Sequence, residues 1–169
     1  LETTASMIGL AFARLLHDPG LYRCVRDDPA LVPGAVEELL RFDTIIHNGI
    51  RRVALDDFTL GPARIRRADG IIICVAAGNR DPGAFDTAER IDFRRKAARY
   101  HLSFSGGVHY CLGYLLARAE LCIALSGITS AFPRLRLARP IDDIAFREDS
   151  FVYGPRHLPV TWLYPGPWR

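Results

Sequence analysis

Apolar residues recur at helical spacing in several stretches of the chain. Residues 1 to 16 carry apolar side chains three and four positions apart, and Asp18-Pro19-Gly20 follows as a turn or helix-start signal. The pattern predicts a short helix over residues 19 to 26 and another that has Pro33 in its first turn and runs to about residue 42. A fourth helix is predicted over residues 112 to 131. Its inward-packing stripe is expected to consist of Leu112, Leu115, Leu116, Ala119, Cys122 and Ile123.

Shorter apolar segments, separated by Gly-Pro and Asp-Gly turns, predict β-strands. They cover residues 49 to 54, 58 to 60, 64 to 66 and 71 to 75, and small β-hairpins are expected at 135 to 137 and 158 to 162. Residues 82 to 110 have little periodicity and many turn formers, which is unusual in a compact domain unless the segment is functional. The sequence therefore predicts a mainly α fold with small β-sheets.

Composition restricts the class of protein further. The 169 residues, 49% hydrophobic and 24% charged, suffice for one core, and we expect residues 1–169 to belong to one domain. A net charge of +3 argues against a nucleic-acid role. No apolar run approaches the roughly 18 residues of a membrane span, and no signal-peptide pattern is present. Four cysteines without a Cys-x-x-Cys pair favour a reducing cytoplasm.

One cysteine, Cys111, lies between a glycine-rich loop and the start of the last predicted helix. Backbone N–H groups at a helix start and in a glycine turn can hydrogen-bond a sulfur anion, so this setting suits a metal-binding thiolate. The alternative is a small buried hydrophobic residue, the commoner role of an isolated cysteine. A zinc site with His109 is disfavoured because no further Cys or His pair has metal-site spacing.

The residues around this cysteine favour the ligand interpretation. The pattern Phe104-x-x-Gly107-x-His109-x-Cys111-x-Gly113 resembles the haem-binding signature of the cytochrome P450 family, in which the cysteine is the proximal iron ligand. The resemblance implies an α-rich cytochrome P450 fold with haem b (iron protoporphyrin IX) bound by these residues. The chain departs from the family pattern after the phenylalanine, where Ser105 replaces the usual glycine.

A second motif of the family lies on the predicted helix that ends near residue 42. Glu38-x-x-Arg41 resembles the Glu-x-x-Arg motif, whose two side chains share one helical face. The segments 77 to 82 and 85 to 90 resemble the approach to the family's meander. By that resemblance Arg90 is the expected third member of a Glu-Arg-Arg cluster that holds the meander behind the haem loop.

The first residues of the chain resemble the end of a third motif. Leu1-Glu2-Thr3-Thr4 matches the oxygen-activation motif Ala-Gly-x-acid-Thr from its third position onward, which implies proton-relay roles for Glu2 and Thr3. The resemblance further implies that the chain is the C-terminal portion of a bacterial-type cytochrome P450. It would be an excerpt, a truncated product or one part of a split protein.

The resemblance also implies residues that contact the cofactor's carboxylates and the substrate. Charge-assisted hydrogen bonds from Arg52 and His109 are expected to hold the haem propionates. For Arg52 the alternative is a charge at a strand edge. The family regions that border the substrate pocket correspond here to His47, Asn48, Ile50, Phe151 and Val152.

The activity implied by the resemblance is monooxygenation of a C–H bond in a small organic substrate. Electrons would come from NAD(P)H through a ferredoxin and its reductase, and the basic cluster Arg94, Arg95, Lys96 and Arg99 could attract such an acidic carrier. Two alternatives stay open. One is a truncated or degenerate haem-binding or interaction module without activity, and the other is a peroxide-using haem-thiolate enzyme that needs no redox partner.

Overall fold

The computed structural model describes residues 2–162. Helices occupy Glu2–His17 (α1), Pro19–Asp27 (α2), Val32–Phe42 (α3), Val75–Gly78 (α4) and Tyr114–Ala131 (α5), with 3₁₀ turns at Pro29–Leu31, Lys96–Tyr100, Gly107–His109 and Ile141–Asp143. Strands occupy Ile50–Val53 (β1), Phe58–Leu60 (β2), Ala63–Ile65 (β3), Gly70–Ile73 (β4), Arg136–Leu137 (β5) and Val160–Thr161 (β6). This architecture confirms the predicted mainly α fold with small sheets.

The helix starts follow the local signals that predicted them. The Asp18 side chain accepts a hydrogen bond of 2.8 Å from the Gly20 N–H, which caps α2, and Pro19 occupies the first turn. Pro33 lies in the first turn of α3, as expected. These ends need only neighbours in sequence, which explains why they could be predicted.

The core forms where α1, α3 and α5 pack together. Its centre consists of fully buried apolar side chains from the three helices, namely Met7, Ala11, Leu15, Val36, Leu39, Leu121 and Leu125. Burial of each large aliphatic side chain contributes about 1.5 to 3 kcal/mol to stability. The packed helices hold the two ends of the 101–113 segment, which carries Cys111.

The predicted inward stripe of α5 is largely wrong, although its member Cys122 is half-buried and packs against the core. Leu115 and Ile123 are 66% and 72% exposed, and Leu112, which precedes the helix, is fully exposed. Leu121, Leu125 and Thr129 are the buried residues of α5. Apolar residues surround most of this helix, so its sequence alone did not indicate which face packs. By length and composition alone, α5 is long and apolar enough to cross a membrane. This differs from the expectation that no apolar segment approaches the length of a membrane span.

The sheets are antiparallel and two-stranded among the described residues. β1 pairs with β4, with Ile50 opposite Ile73, and β2 pairs with β3. Gly49, at φ +77°, precedes β1, and a Cβ there would lie 2.6 Å from the Ile72 side chain. Val75 begins α4 instead of ending a strand.

The last two predicted strand segments do not form separate hairpins. Leu137 of β5 pairs with Val160 of β6, so one antiparallel sheet joins segments more than twenty residues apart. Local turn signals could not indicate this long-range pairing.

Candidate functional site around Cys111

The loop from Phe104 to Gly113 is closed by backbone hydrogen bonds. The Cys111 N–H donates to the Phe104 carbonyl at 2.9 Å, and the Tyr110 N–H donates to the Gly107 carbonyl at 3.0 Å. Helix α5 begins three residues after Cys111, whose side chain is exposed. The loop therefore presents a thiol on a closed turn at the start of a long helix, as the sequence predicted.

Two residues of this loop have left-handed backbone conformations. Gly107 has φ +62°, which glycine adopts without steric cost. Ser105 has φ +65°, which its Cβ disfavours by about 1 to 3 kcal/mol. The backbone thus has the geometry of a glycine at position 105, and the serine is accommodated with strain.

A cavity of about 510 Å³ lies beside the thiol. Cys111, Phe104 and Gly113 form one part of its wall, and Thr3 and Thr4 of α1 form another. The remaining lining is mostly apolar and consists of Met7, Leu40, Asp43, Ile45, Ile46, Ser103, Leu116, Ala117, Glu120 and Leu121. The site joins α1, α3, α5 and the cysteine loop around one space.

The residues of this site fit an iron porphyrin. A thiolate is a suitable axial ligand for haem iron, and apolar walls suit the macrocycle. A Cβ placed on Gly113, which lines the cavity, would meet no atom within 4 Å, so the loop leaves space there for a flat cofactor. Among residues 2–162 no three His, Cys, Asp or Glu side chains come together as metal ligands, so a zinc site at His109 and Cys111 lacks a described third ligand.

The two residues predicted for proton transfer occupy different positions. Thr3 lines the cavity, whereas Glu2 is not part of the described lining. The Glu2 carboxylate is 69% exposed and lies 3.9 Å from Nη1 of Arg147. The hydroxyl of Ser6, one turn along α1, donates to the Glu2 carbonyl at 2.8 Å and accepts from Arg147 Nη2 at 2.6 Å.

The residues predicted to hold propionates lie outside the described lining of the cavity. Arg52, on β1, donates to the Arg51 carbonyl at 2.8 Å. His109 is exposed at the end of the Gly107–His109 turn. Their roles stay predictions.

The residues predicted to border the substrate pocket are also absent from the described lining. Instead, the segment after α3 contributes Ile45 and Ile46. His47 packs against Tyr153, with ring centroids 4.5 Å apart, and the Tyr153 N–H donates to the Ile45 carbonyl at 2.8 Å. The contact holds Phe151 and Val152 near this segment, but Asn48, Ile50, Phe151 and Val152 do not reach the cavity wall. A strand begins at Ile50, so the chain has turned away by that point.

On α3, Glu38 and Arg41 form a fully buried ion pair. Arg41 donates from Nε and Nη2 to the two carboxylate oxygens of Glu38, both at 2.8 Å. Nη1 of Arg41 also donates to the carbonyls of Asn79 and Ala88, at 2.8 and 2.9 Å. The pair therefore ties α3 to the irregular segment that precedes the loop.

The third side chain of this cluster is Arg95, and the prediction of Arg90 is wrong. Nε of Arg95 lies 3.1 Å from Oε1 of Glu38, and its side chain is 8% exposed. Arg90 takes part through its backbone carbonyl, which accepts from Arg41 and Arg95. Spacing alone could not distinguish these arginines, because the chain turns between them, where the Arg95 N–H donates to the Asp92 carbonyl at 3.0 Å. Arg95 therefore does not belong to an exposed basic cluster, whereas Arg94, Lys96 and Arg99 are exposed.

A second polar cluster near the loop was not predicted. Arg118 of α5 donates to both carboxylate oxygens of Glu37, at 2.6 and 2.9 Å, and Nε2 of His101 lies 3.3 Å from the same carboxylate. Burial alone would raise the pKa of Glu37, but the hydrogen bonds from Arg118 and the nearby His101 imidazole outweigh it and lower the pKa to about 2. These residues are far apart in sequence, and no motif signalled their contact.

Comparison with known proteins agrees with this architecture. The family model for Cytochrome P450 matches residues 28–152. The chain is 44% identical to cytochrome P450-SU2 of Streptomyces griseolus, over 95% of this chain and 40% of that protein. It is 41% identical to the 20-oxo-5-O-mycaminosyltylactone 23-monooxygenase of Streptomyces fradiae, over 95% of this chain and 38% of the relative.

A solved structure extends the likeness to the fold. The crystal structure of cytochrome P450 MoxA from Nonomuraea recticatena superposes with a TM-score of 0.92 at 41% identity, covering 98% of this chain and 41% of MoxA. The chain belongs to the cytochrome P450 family. It spans about 40% of the length of these curated relatives.

Proposed function

We propose that the protein containing this chain is a haem-thiolate monooxygenase with Cys111 as its iron ligand. The observation that carries the proposal is the cavity of about 510 Å³ that has the Cys111 thiol in one wall and Thr3 in another, in a chain of the cytochrome P450 family. Residues 1–169 would form the C-terminal part of one cytochrome P450 domain. When bound, haem b would supply dioxygen activation and the insertion of one oxygen atom into a substrate C–H bond.

The cysteine loop would hold the cofactor through the thiolate and the adjacent backbone. The hydrogen bond from the Cys111 N–H to the Phe104 carbonyl keeps the turn closed. The open space in front of Gly113 would let the cofactor approach the backbone. Arg52 and His109 would bind the propionates by charge-assisted hydrogen bonds.

Glu2 and Thr3 would deliver protons to the cavity. The Glu2 carboxylate is largely exposed and can exchange protons with water. The next residue, Thr3, carries a hydroxyl that both donates and accepts, and it lines the cavity. This arrangement gives a short path from solvent to the site in which neither residue acts as a nucleophile.

Electrons would come from NAD(P)H through a ferredoxin and its reductase. The exposed side chains of Arg94, Lys96 and Arg99 support an acidic carrier, because they form a basic surface on the segment that leads into the cysteine loop. Such carriers favour a cytoplasmic location. The substrate would be a small organic molecule, consistent with the apolar residues Ile45 and Ile46 in the wall. Outside the described cavity, the substrate would contact His47, Asn48, Ile50, Phe151 and Val152.

The carbon monoxide difference spectrum of the reduced, haem-loaded protein tests the assignment. We expect a strongly red-shifted Soret band that Cys111→Ser abolishes, whereas Cys24→Ser and Cys74→Ser, at two other exposed cysteines, leave it intact. An unchanged band in Cys111→Ser would refute the proposal.

Turnover assays then separate a monooxygenase from its alternatives. We expect product with ferredoxin, its reductase and NAD(P)H. Product with peroxide only would indicate a peroxide-using enzyme, and a red-shifted band without turnover under either condition would indicate a haem-binding module.

A further inference from the structure

The aromatic ring of Phe104 is held on several sides. It is 7% exposed, and the guanidinium carbon of Arg118 lies 4.6 Å from its centroid. Its other ring neighbours, with centroid separations of 5.4, 6.3 and 6.4 Å, are His101, Tyr114 and Tyr110. Phe104 lines the cavity together with Cys111.

The carboxylate of Glu37 contacts two of these neighbours, Arg118 and His101. Glu37 accepts two hydrogen bonds from Arg118, which fixes the plane of the guanidinium group. His101 Nδ1 accepts from the Ser103 N–H at 3.0 Å, so the neutral ring carries its proton on Nε2. That nitrogen lies 3.3 Å from the Glu37 carboxylate. Glu37 thus orients the cation above Phe104 and lies close to the imidazole beside it.

We propose that Arg118 is a positioning residue for the Cys111 ligand loop, acting through Phe104. The guanidinium plane, set by Glu37, holds the Phe104 ring by a cation–π contact. The backbone carbonyl of Phe104 accepts the Cys111 N–H at 2.9 Å, so the position of Phe104 determines that of the thiol. This inference rests on the proposed function of Cys111 as iron ligand.

The shape of the guanidinium group is essential to this role. A lysine has the same charge but can neither pair with both carboxylate oxygens in a fixed plane nor stack flat on a ring. Without the fixed guanidinium plane, Phe104 would be free to move, although the positive charge of a lysine would stay nearby. Replacement by lysine therefore separates geometry from charge.

The test is the ratio of red-shifted, thiolate-ligated to unshifted ferrous carbon monoxide complex in the haem-loaded protein. We expect Arg118→Gln and Arg118→Lys each to lower this ratio by about tenfold, the lower end of the effect of losing a group that orients a metal ligand. Total bound haem should not change. Glu37→Gln should reproduce the loss, and Arg26→Gln, which removes an exposed pair with Asp27, should leave the ratio unchanged.

The results for these variants decide the inference. A wild-type ratio in Arg118→Gln would show that Arg118 does not position the loop, and a wild-type ratio in Arg118→Lys would show that charge alone suffices. If Arg118→Gln does not fold, Glu37→Gln decides, because it keeps the positive charge of Arg118 and removes the carboxylate that sets its plane, and a wild-type ratio would then overturn the inference. A band that survives in Cys111→Ser refutes the ligand assignment itself, whereas loss in Cys111→Ser without loss in the Arg118 variants refutes this inference alone.

Discussion

Arg95 and Glu38 form a buried ion pair, with Arg95 Nε 3.1 Å from Oε1 of Glu38. The same carboxylate binds Arg41, so two guanidinium groups from different segments converge on one acid. The cluster connects α3 to the segment that leads to Cys111. Because the charged side chains of this cluster are buried, the removal of one of them is expected to destabilise the fold.

Removing the acid from this cluster should be strongly destabilising. We expect Glu38→Ala to lower the free energy of unfolding by about 3 to 5 kcal/mol, because Arg41 would stay buried without its counter-ion. Urea denaturation followed by circular dichroism measures the change. Asp57→Ala, which breaks an exposed pair with Arg64, is the control and should have little effect. Equal effects of the two substitutions would contradict the prediction.

Glycine should be more favourable than serine at position 105. Because Ser105 has φ +65°, we expect Ser105→Gly to raise the free energy of unfolding by about 0.5 to 1 kcal/mol, net of the greater unfolded-state freedom of glycine. The same change at Ser126, inside α5, should instead lower it by about 0.5 kcal/mol. Thermal unfolding of both variants provides the comparison, and a lower melting temperature for Ser105→Gly as well as for Ser126→Gly would count against strain at Ser105.

Acid should weaken the fold through Glu37. The pKa of Glu37 is lowered from 4.5 to about 2 in the folded chain. Its contribution to the free energy of unfolding is therefore fully present above pH 4.5 and is lost as the pH falls toward 2. We expect the protonation of Glu37 to lower the free energy of unfolding by about 2 to 3 kcal/mol. Glu37→Gln should reduce the difference in unfolding free energy between neutral and acidic solution, as measured by urea titrations at several pH values. An unchanged pH dependence would refute this role.

Two glycine substitutions should have opposite effects. A Cβ at Gly34 in α3 would lie 2.2 Å from the Phe93 carbonyl oxygen, so we expect Gly34→Ala to destabilise by about 1 to 3 kcal/mol despite the better helix propensity of alanine. Gly127 in α5 has open space, and Gly127→Ala should stabilise by up to about 1 kcal/mol. The melting temperatures of the two variants test this, and stabilisation by Gly34→Ala would show that the close approach is absent.

Much of the fold could be predicted because its signals are local. Asp18, Pro19 and Pro33 indicated helix starts from neighbouring residues, and the β2 segment was predicted with its observed bounds. The face of α5 could not be predicted, because apolar residues surround most of that helix. The pairing of β5 with β6 also escaped prediction, since it joins segments distant in sequence.

In the candidate site, too, the local features could be predicted and the long-range contacts could not. The pattern around Cys111 and the pair Glu38 and Arg41 were recognisable from spacing, because a turn or one helical face brings those residues together. By itself the sequence determined the family and the mainly α character, and it indicated Cys111 as the candidate iron ligand. Only the tertiary structure decided that Arg95 rather than Arg90 joins Glu38, that Ile45 and Ile46 line the cavity, and that Glu37, His101 and Arg118 surround Phe104. Those contacts depend on how separate segments pack in space, and no local periodicity records that packing.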